Sequence, residues 1–183
     1  EFLTEKNFEQ DFINNPKWIF GLKGTKQDNE FKKLITDLIN SSYKHEKIKS
    51  NDISFVDNKE SELIKLFRNN FLSVKVAFCN EIYQFCKSMN INYENVRKIA
   101  TLDPRIGEGH TNVPGHDGKC GFGGTCFPKD CHNLLTQMKA NNVKSTIIEG
   151  AIIRNEKIDR VERDWNNNKG RAVIFDVLNS VLH

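Results

Sequence analysis

The stretch FLSVKVAFCNEIYQFC, residues 71–86, carries apolar side chains at 11 of its 16 positions. It lies inside residues 59–89, a segment that contains neither glycine nor proline and, at ~1.5 Å per residue, predicts one helix roughly 45 Å long. Apolar side chains that continue around a helix have to be covered on more than one side. We therefore predict a mainly α fold with one long central helix that also packs against a second subunit.

A small βαβ-like piece is predicted before this helix. Residues 17–22 are typical of a short buried strand between Pro16 and Gly24, residues 29–40 place apolar side chains at helical spacing, and residues 53–56 are typical of a second strand. Two strands form only a marginal ribbon. The piece is therefore expected to need neighbouring strands.

Short helices are predicted after the long helix. A helix over residues 92–101 is expected to turn Val96 and Ile99 inward, and helical patterns return over residues 129–139 and 146–165. The intervening segment from 103 to 128 holds seven of the 11 glycines and three of the four prolines. Loops of this length inside compact domains are uncommon and usually functional. Further on, the segment from 170 to 178 fits either a strand or a short helix.

The composition is ordinary for a globular chain, with 38% apolar residues, 28% charged residues and a formal net charge of +3. So small an excess of charge provides no long-range field for nucleic acid or anionic membrane. No apolar run approaches the ~18 residues of a membrane span, and the first residues do not resemble a secretory leader. Five cysteines without framework spacing favour a cytoplasmic location. Because the sequence begins with glutamate rather than methionine, we expect it to be a fragment.

The sequence GFGGTCFPKD, residues 121–130, is the sharpest indication of chemistry. Glycine lets the backbone approach a ligand closely, and Pro128 suits the first position of a helix. Cys126 would then lie beside a helix N-terminus with Lys129 nearby, and both favour a reactive thiolate. Asp130 could act as a base or position a water. The alternative is a packed cysteine in a structural turn.

A possible second part of the site lies on the predicted long helix. Lys65 and Asn69 are four residues apart, so they share one face just before the most apolar half begins. The alternative is a solvated helix start, in which Lys65 lays its stem over neighbouring Leu66 and Phe67.

A metal site is another possibility, since three histidines and three cysteines fall within 23 residues: His110, His116, Cys120, Cys126, Cys131 and His132. No CxxC or HxxxH pair occurs among them, and structural zinc sites usually contain such close pairs. We therefore expect no metal.

Four ordered motifs resemble the UDP-glucose dehydrogenase family, the NAD-dependent UDP-glucose and GDP-mannose dehydrogenases. Residues 121–130 resemble the active-site cysteine motif of the family, and residues 1–5 (EFLTE) resemble the end of its Pro-Glu-Phe-Leu-x-Glu segment. The sequence KLFRN at 65–69, followed by FL at 71–72 and NEI at 80–82, resembles the central-helix motif. The sequence DPRIG at 103–107 resembles the loop before the cysteine. The resemblance covers roughly residues 1–160.

The resemblance implies oxidation of a sugar primary alcohol to a carboxylate in two NAD-dependent steps, which for UDP-glucose yields the uronate used in polysaccharide biosynthesis. Cys126 would carry a thiohemiacetal and then a thioester, and Lys65 would stabilise the oxyanion. Asn69 and Asp130 would hold or activate the water, and Glu1 would assist hydrolysis. The implied substrate contacts are Phe2, Leu3, Glu5, Phe122 and Gly123, with Arg105 reaching the partner subunit's sugar site. Lys129 would lie near the cofactor.

The resemblance also implies three regions. Residues 1–58 would be the C-terminal part of a dinucleotide-binding (Rossmann) domain, residues 59–165 a helical dimerisation domain with the cysteine loop, and residues 166–183 a tail. No Gly-x-Gly-x-x-Gly fingerprint occurs, so the NAD site is expected to lie mostly outside this chain. We expect a dehydrogenase fragment that is inactive alone; the alternative is a non-catalytic helical dimerisation module derived from the family.

Overall fold

Helices dominate the computed structural model, which describes Leu3 and residues 7–167. The predicted mainly α fold is confirmed. In chain order the elements are α1 (Phe8–Ile13), β1 (Trp18–Leu22), α2 (Asp28–Lys44), β2 (Ile53–Asp57), α3 (Asn58–Ser88), α4 (Tyr93–Ala100), α5 (Cys126–Ala140) and α6 (Thr146–Arg154), followed by a π-helical turn (Asn155–Asp159) and a 3₁₀ turn (Asp164–Asn167).

The chain divides after Phe67 into two compact units. In the first unit, β1 and β2 pair in parallel from Trp18 opposite Ile53 to Leu22 opposite Asp57, and α2 connects them. This arrangement confirms the predicted strand–helix–strand piece, to which the structure adds α1. Its core consists of side chains from β1, α2 and the segment before β2: Trp18, Ile39 and Ile48, with Phe20, Ile35 and Ile53 packed against them.

The long helix α3 agrees with its predicted bounds to within one residue. It starts with a reciprocal cap: the Lys59 N–H donates to Asp57 Oδ1 at 2.8 Å, and the Asp57 N–H donates to Glu60 Oε2 at 2.9 Å. It stops where Asn90 takes a left-handed φ of 54° and the Ile91 N–H donates back to the Cys86 carbonyl at 2.8 Å. Local signals in the sequence therefore fix both ends.

The orientation predicted for α4 is wrong. Ile99 is 70% exposed and Val96 is also exposed, while Tyr93 and Arg97 are the buried side chains of this helix. Tyr93 packs against Cys79 and Cys86 of α3 and donates from its hydroxyl to the Thr111 carbonyl at 2.7 Å, so the inward face of α4 contacts both the long helix and the long loop. The buried face of this short helix is therefore mixed, with apolar packing around Tyr93 and ion pairs around Arg97.

The last helices differ from prediction in extent. α5 begins at Cys126, three residues earlier than predicted, and the helix predicted over 146–165 ends as an α-helix at Arg154. The core here is formed by Phe122, Cys131, Leu135 and Ile152, with Val76, Phe127 and Ile148 packed against them. The segment 170–178 lies outside the described residues.

No helix in the described part of the chain is long and apolar enough to cross a membrane.

Candidate active site

Cys126 is the first residue of α5 and is exposed. The predicted position at a helix N-terminus is confirmed. Pro128 occupies the third helical position, not the first as predicted, and is tolerated there because the N–H groups of the first turn have no partner within the helix. Cys126 therefore lies where unpaired N–H groups concentrate, and the Thr125 Oγ1 lies 3.7 Å from its sulfur.

Asp130 lies one turn after Cys126 on α5, and its side chain is only 4% exposed. Its Oδ2 accepts a 2.6 Å hydrogen bond from the Asn69 amide of α3, and its Oδ1 lies 3.0 Å from the Lys129 ammonium. The neighbouring Asn70 amide donates to the Asp130 backbone carbonyl at 3.2 Å. Residues four apart share a helix face, so Asp130 and the Asn69 amide bound to it lie on the side of α5 that carries Cys126.

Other predicted site residues belong to the first unit or lie outside the described residues. Lys65 lies on α3 in the first unit and is half-buried, as is Leu3. Glu1, Phe2 and Glu5 lie outside the described residues.

Arg105 lies on the loop before the cysteine and points outward, with its side chain 88% exposed. Asp103 accepts from the Arg105 backbone N–H at 2.9 Å and pairs with its guanidinium at 2.6 Å. The ammonium of Lys75 on α3 donates to the carbonyls of Ile106 and Gly107 at 2.8 and 2.9 Å, and these two hydrogen bonds attach the same loop to α3. This geometry leaves the Arg105 guanidinium at the surface.

The glycine segment before Cys126 is held by side-chain amides. The Gly121 N–H donates to Asn80 Oδ1 at 3.0 Å, and the Asn155 amide forms two 2.8 Å hydrogen bonds with the N–H and carbonyl of Phe122. The Phe122 ring is buried in the core. Phe122 is therefore buried through its ring and paired through both polar groups of its backbone.

The side chains of Asn155 and Arg160 leave no space for a Cβ at two positions of this segment, so glycine is required there. Gly121 has a φ of 70°, and a Cβ there would overlap Asn155 Oδ1. A Cβ on Gly123 would lie 2.6 Å from Nη2 of Arg160. The Arg160 guanidinium is held by Asp117 at 2.7 Å and by Asp164 at 2.8 Å, and its hydrogen bonds keep the pKa of Asp164 well below the usual value.

The sequence analysis gives Asn80 only as part of the central-helix motif and assigns no role to Asn155 or Arg160. Asn155 continues the buried stripe of Ala151 and Ile152, so a polar residue on an apolar helix face was the available signal.

The histidines and cysteines considered for a metal have other surroundings. His132 Nε2 lies 2.8 Å from Glu156 Oε1, and burial raises the pKa of the Cys131 thiol to about 11. Within residues 7–167, no three His, Cys, Asp or Glu side chains are placed to hold a metal ion.

Comparisons with known proteins agree on one family. The model of the UDP-glucose/GDP-mannose dehydrogenase family, central domain, matches residues 59–157. The chain is 32% identical over 157 residues to UDP-glucose 6-dehydrogenase of Rickettsia bellii, covering 86% of this chain and 33% of that protein. It is 31% identical over 156 residues to the enzyme of Campylobacter jejuni, covering 85% of this chain and 36% of that protein.

A solved structure agrees. The chain superposes with a TM-score of 0.70 on a UDP-glucose dehydrogenase from the hyperthermophilic archaeon Pyrobaculum islandicum, at 26% identity, covering 85% of this chain and 32% of that one. The chain spans about a third of the length of these relatives.

Proposed function

Because the chain belongs to the UDP-glucose/GDP-mannose dehydrogenase family, we propose that it supplies the catalytic cysteine of a nucleotide-sugar dehydrogenase. The substrate class is UDP-glucose or a related nucleotide sugar, and the product is the uronate. One observation carries the proposal: an exposed Cys126 begins α5, and Asp130, bound by Asn69, lies one turn away on the same helix.

The proposed chemistry of Cys126 is a covalent trap. Its sulfur adds to the carbonyl carbon of the sugar aldehyde, and the carbonyl oxygen takes up a proton to give a thiohemiacetal. Loss of a hydride and that proton gives the thioester. Water then attacks the thioester carbon, the C–S bond breaks, and the carboxylate and the free thiol are released. Splitting a difficult oxidation into such covalent steps is the general advantage of nucleophilic catalysis.

Asp130 and Asn69 are proposed to orient the attacking water. Each carboxylate oxygen has more than one acceptor position, so the contacts from Asn69 and Lys129 leave room for a water. Lys65 is proposed to stabilise the developing oxyanion with its fixed charge. Glu1 is proposed to assist hydrolysis. Leu3 and Gly123 are proposed to contact the sugar nucleotide alongside Phe2, Glu5 and Phe122, and Lys129 is proposed to lie near the cofactor.

The family resemblance implies NAD, which when bound would accept a hydride in each oxidation. The described residues do not fit a dinucleotide site. Between β1 and α2 there is a single glycine, Gly24, and the carboxylate of Asp28 accepts hydrogen bonds from the Thr25 N–H and hydroxyl at 2.9 and 3.1 Å. A carboxylate thus occupies the N-terminus of α2, so this turn does not offer a pyrophosphate site. We therefore propose that the isolated chain does not turn over.

We also propose a homodimer through α3. Phe78 and Phe85 are 62% and 58% exposed and lie seven residues apart on one face of this helix. The face beneath them carries small or polar side chains such as Ser73 and Asn80, so the large apolar surface points away from the chain's own core. Burial of two such rings against a second copy would stabilise a dimer by several kcal/mol, at about 1.5–3 kcal/mol per side chain.

The function is tested with a chimera in which residues 59–157 replace the matching segment of the Rickettsia bellii enzyme. The expected result is NADH formation that depends on UDP-glucose and falls at least about 10³-fold in the Cys126→Ser chimera. A dimeric, helical chimera without turnover would contradict the proposal.

The same chimera separates the non-catalytic alternative. A dimerisation module without chemistry predicts a folded dimer whose residual activity is unchanged by Cys126→Ser. Circular dichroism and light scattering supply the measures of folding and assembly.

A further inference from the structure

Helix α6 continues into a π-helical turn, Asn155–Asp159. The Arg160 N–H donates to the Asn155 carbonyl at 2.8 Å, five residues back instead of four. In an α-helix, side chains five residues apart point about 140° away from each other. Here Asn155 and Arg160 are both buried, while Lys157 and Ile158 are exposed. The wider turn thus directs two polar side chains to the same side.

Both side chains contact the segment that leads into Cys126. Asn155 pairs with Phe122 through an amide that accepts from the backbone N–H and donates to the backbone carbonyl, as a neighbouring strand would. The Arg160 guanidinium lies against the next residue, Gly123. Backbone groups buried without such partners are costly, so this short segment has one preferred conformation.

Arg160 is itself fixed from two sides. Its Nη2 lies 2.7 Å from Asp117 and 2.8 Å from Asp164, and its Nε donates to Asp164 at 2.8 Å. The Arg160 side chain is 5% exposed, so the planar guanidinium is held in one position beside Gly123. By contrast, the side chain of Asn155 has no partner in these contacts other than the Phe122 backbone.

We propose that Asn155 is a positioning residue for Cys126: it fixes the Phe122 backbone and thereby the point at which α5 begins. The proposal rests on the proposed function, in which Cys126 is the nucleophile. Π-helical turns are rare and frequently lie at functional sites. Asn155 acts through the backbone and does not touch the reacting sulfur. Its removal should therefore change the behaviour of Cys126 without opening the core.

The test compares Asn155→Leu, which keeps the approximate shape but loses both hydrogen bonds, with Asn133→Leu. Asn133 is exposed on α5 and loses one side-chain hydrogen bond, with Gln137. The alkylation rates of Cys126 and of buried Cys131 by iodoacetamide are measured by peptide mass spectrometry. In Asn155→Leu we expect Cys126 to react about threefold more slowly, because it loses its fixed place at the helix end. Cys131 should stay protected.

A second variant supplies a readout that a purely structural role would not move. In Asn155→Asp, a protonated carboxyl can donate to the Phe122 carbonyl and accept from its N–H, whereas a carboxylate cannot donate. Position 155 is buried, so the pKa of the introduced carboxyl should lie well above its usual value of about 3.9. The Cys126 rate, relative to the unchanged chain at the same pH, should then be normal at about pH 5 and reduced at about pH 8. Hydrogen exchange of the backbone amides of residues 121–126 should also be faster than in the unchanged chain at the same pH, by about tenfold at about pH 8.

Two results overturn the proposal. Equal Cys126 rates in Asn155→Leu and Asn133→Leu would show that Asn155 does not position the cysteine. Loss of Cys131 protection along with the change at Cys126, at both pH values, would reduce Asn155 to a structural residue. Failure of the proposed function is distinguishable, since it is decided by Cys126→Ser in the chimera and does not depend on these ratios.

Discussion

The Asn69 amide donates a 2.6 Å hydrogen bond to the Asp130 carboxylate across 61 residues of sequence. The bond connects α3 to α5 at the turn that follows Cys126, and the carboxylate is almost completely buried. Two motifs that lie far apart in the sequence are thereby in direct contact.

Removal of this amide should destabilise the fold. Asn69→Leu leaves one oxygen of a buried carboxylate without its donor, which we expect to lower the free energy of unfolding by about 1–3 kcal/mol. Urea denaturation followed by circular dichroism measures it. Asn133→Leu, which removes an exposed hydrogen bond on α5, should change the value by less than about 0.5 kcal/mol. Equal effects of the two substitutions would contradict this account.

The cysteines should differ sharply in accessibility. Cys126 is exposed, while Cys79, Cys86 and Cys131 are buried and burial raises the pKa of Cys131 to about 11. Iodoacetamide near neutral pH should modify Cys126 first, and the buried three only as the chain unfolds. Peptide mass spectrometry over time measures the order. Simultaneous modification of Cys126 and Cys131 in the native chain would be inconsistent with the fold.

Gly123→Ala should disturb the cysteine loop. Its Cβ would lie 2.6 Å from a guanidinium nitrogen that two carboxylates hold in place, so we expect a loss of about 1–3 kcal/mol in unfolding free energy. Gly109→Ala is the matched control, because its Cβ would meet nothing within 4 Å. That substitution should be neutral or stabilising by up to about 1 kcal/mol. If Gly123→Ala changed the free energy of unfolding as little as Gly109→Ala does, Arg160 would not lie against the loop.

Acid should weaken the ion pair between Asp164 and Arg160, the side chain that lies beside Gly123 in the cysteine loop. Hydrogen bonds from Arg160, and further ones from Lys119, hold the pKa of Asp164 well below its usual 3.8. A carboxylate with a lowered pKa in the folded state stabilises the fold above its unfolded pKa, and this contribution is lost as the pH falls below about 4. Asp164→Asn should therefore flatten the decline of unfolding free energy between about pH 4 and pH 2. Asp37→Asn, at an exposed position of α2, serves as control in the same urea titrations; an identical slope in both variants would refute the assignment.

Association should depend on the exposed phenylalanines of α3. Phe78→Glu places a charge in the proposed interface. We expect the mass measured by light scattering at micromolar concentration to fall from that of two chains to that of one chain. Lys87→Glu, an exposed charge change on the same helix, should leave the dimer intact. A monomer before any substitution would exclude this interface.

The long helix was predictable because its signals are local. Asp57 and Glu60 form the start, no glycine or proline interrupts the segment, and Asn90 ends it. The orientation of α4 was not predictable, because Arg97 is buried by ion pairs with Glu94 of the same helix and with Glu108 of the long loop. Apolar periodicity carries no information about such partners.

The site was predictable in part. The motif around Cys126 places the cysteine at a helix N-terminus, and spacing places Lys65 and Asn69 on one face of α3. The contacts of Asn155 and Arg160 with the glycines depend on a π-helical turn. One extra residue in a helical turn leaves no periodic signature in the sequence, so these two residues emerged only from the structure.

The central claim, that Cys126 carries the covalent intermediate, is tested most directly by the mass of its peptide. In the chimera with the Rickettsia bellii enzyme, Asp130→Asn should slow hydrolysis of the thioester and let it accumulate during turnover of UDP-glucose. We predict that acid quenching and mass spectrometry find the UDP-linked uronyl group on the peptide that contains Cys126. An active chimera with that adduct on another residue, or with activity retained in Cys126→Ser, would contradict the account.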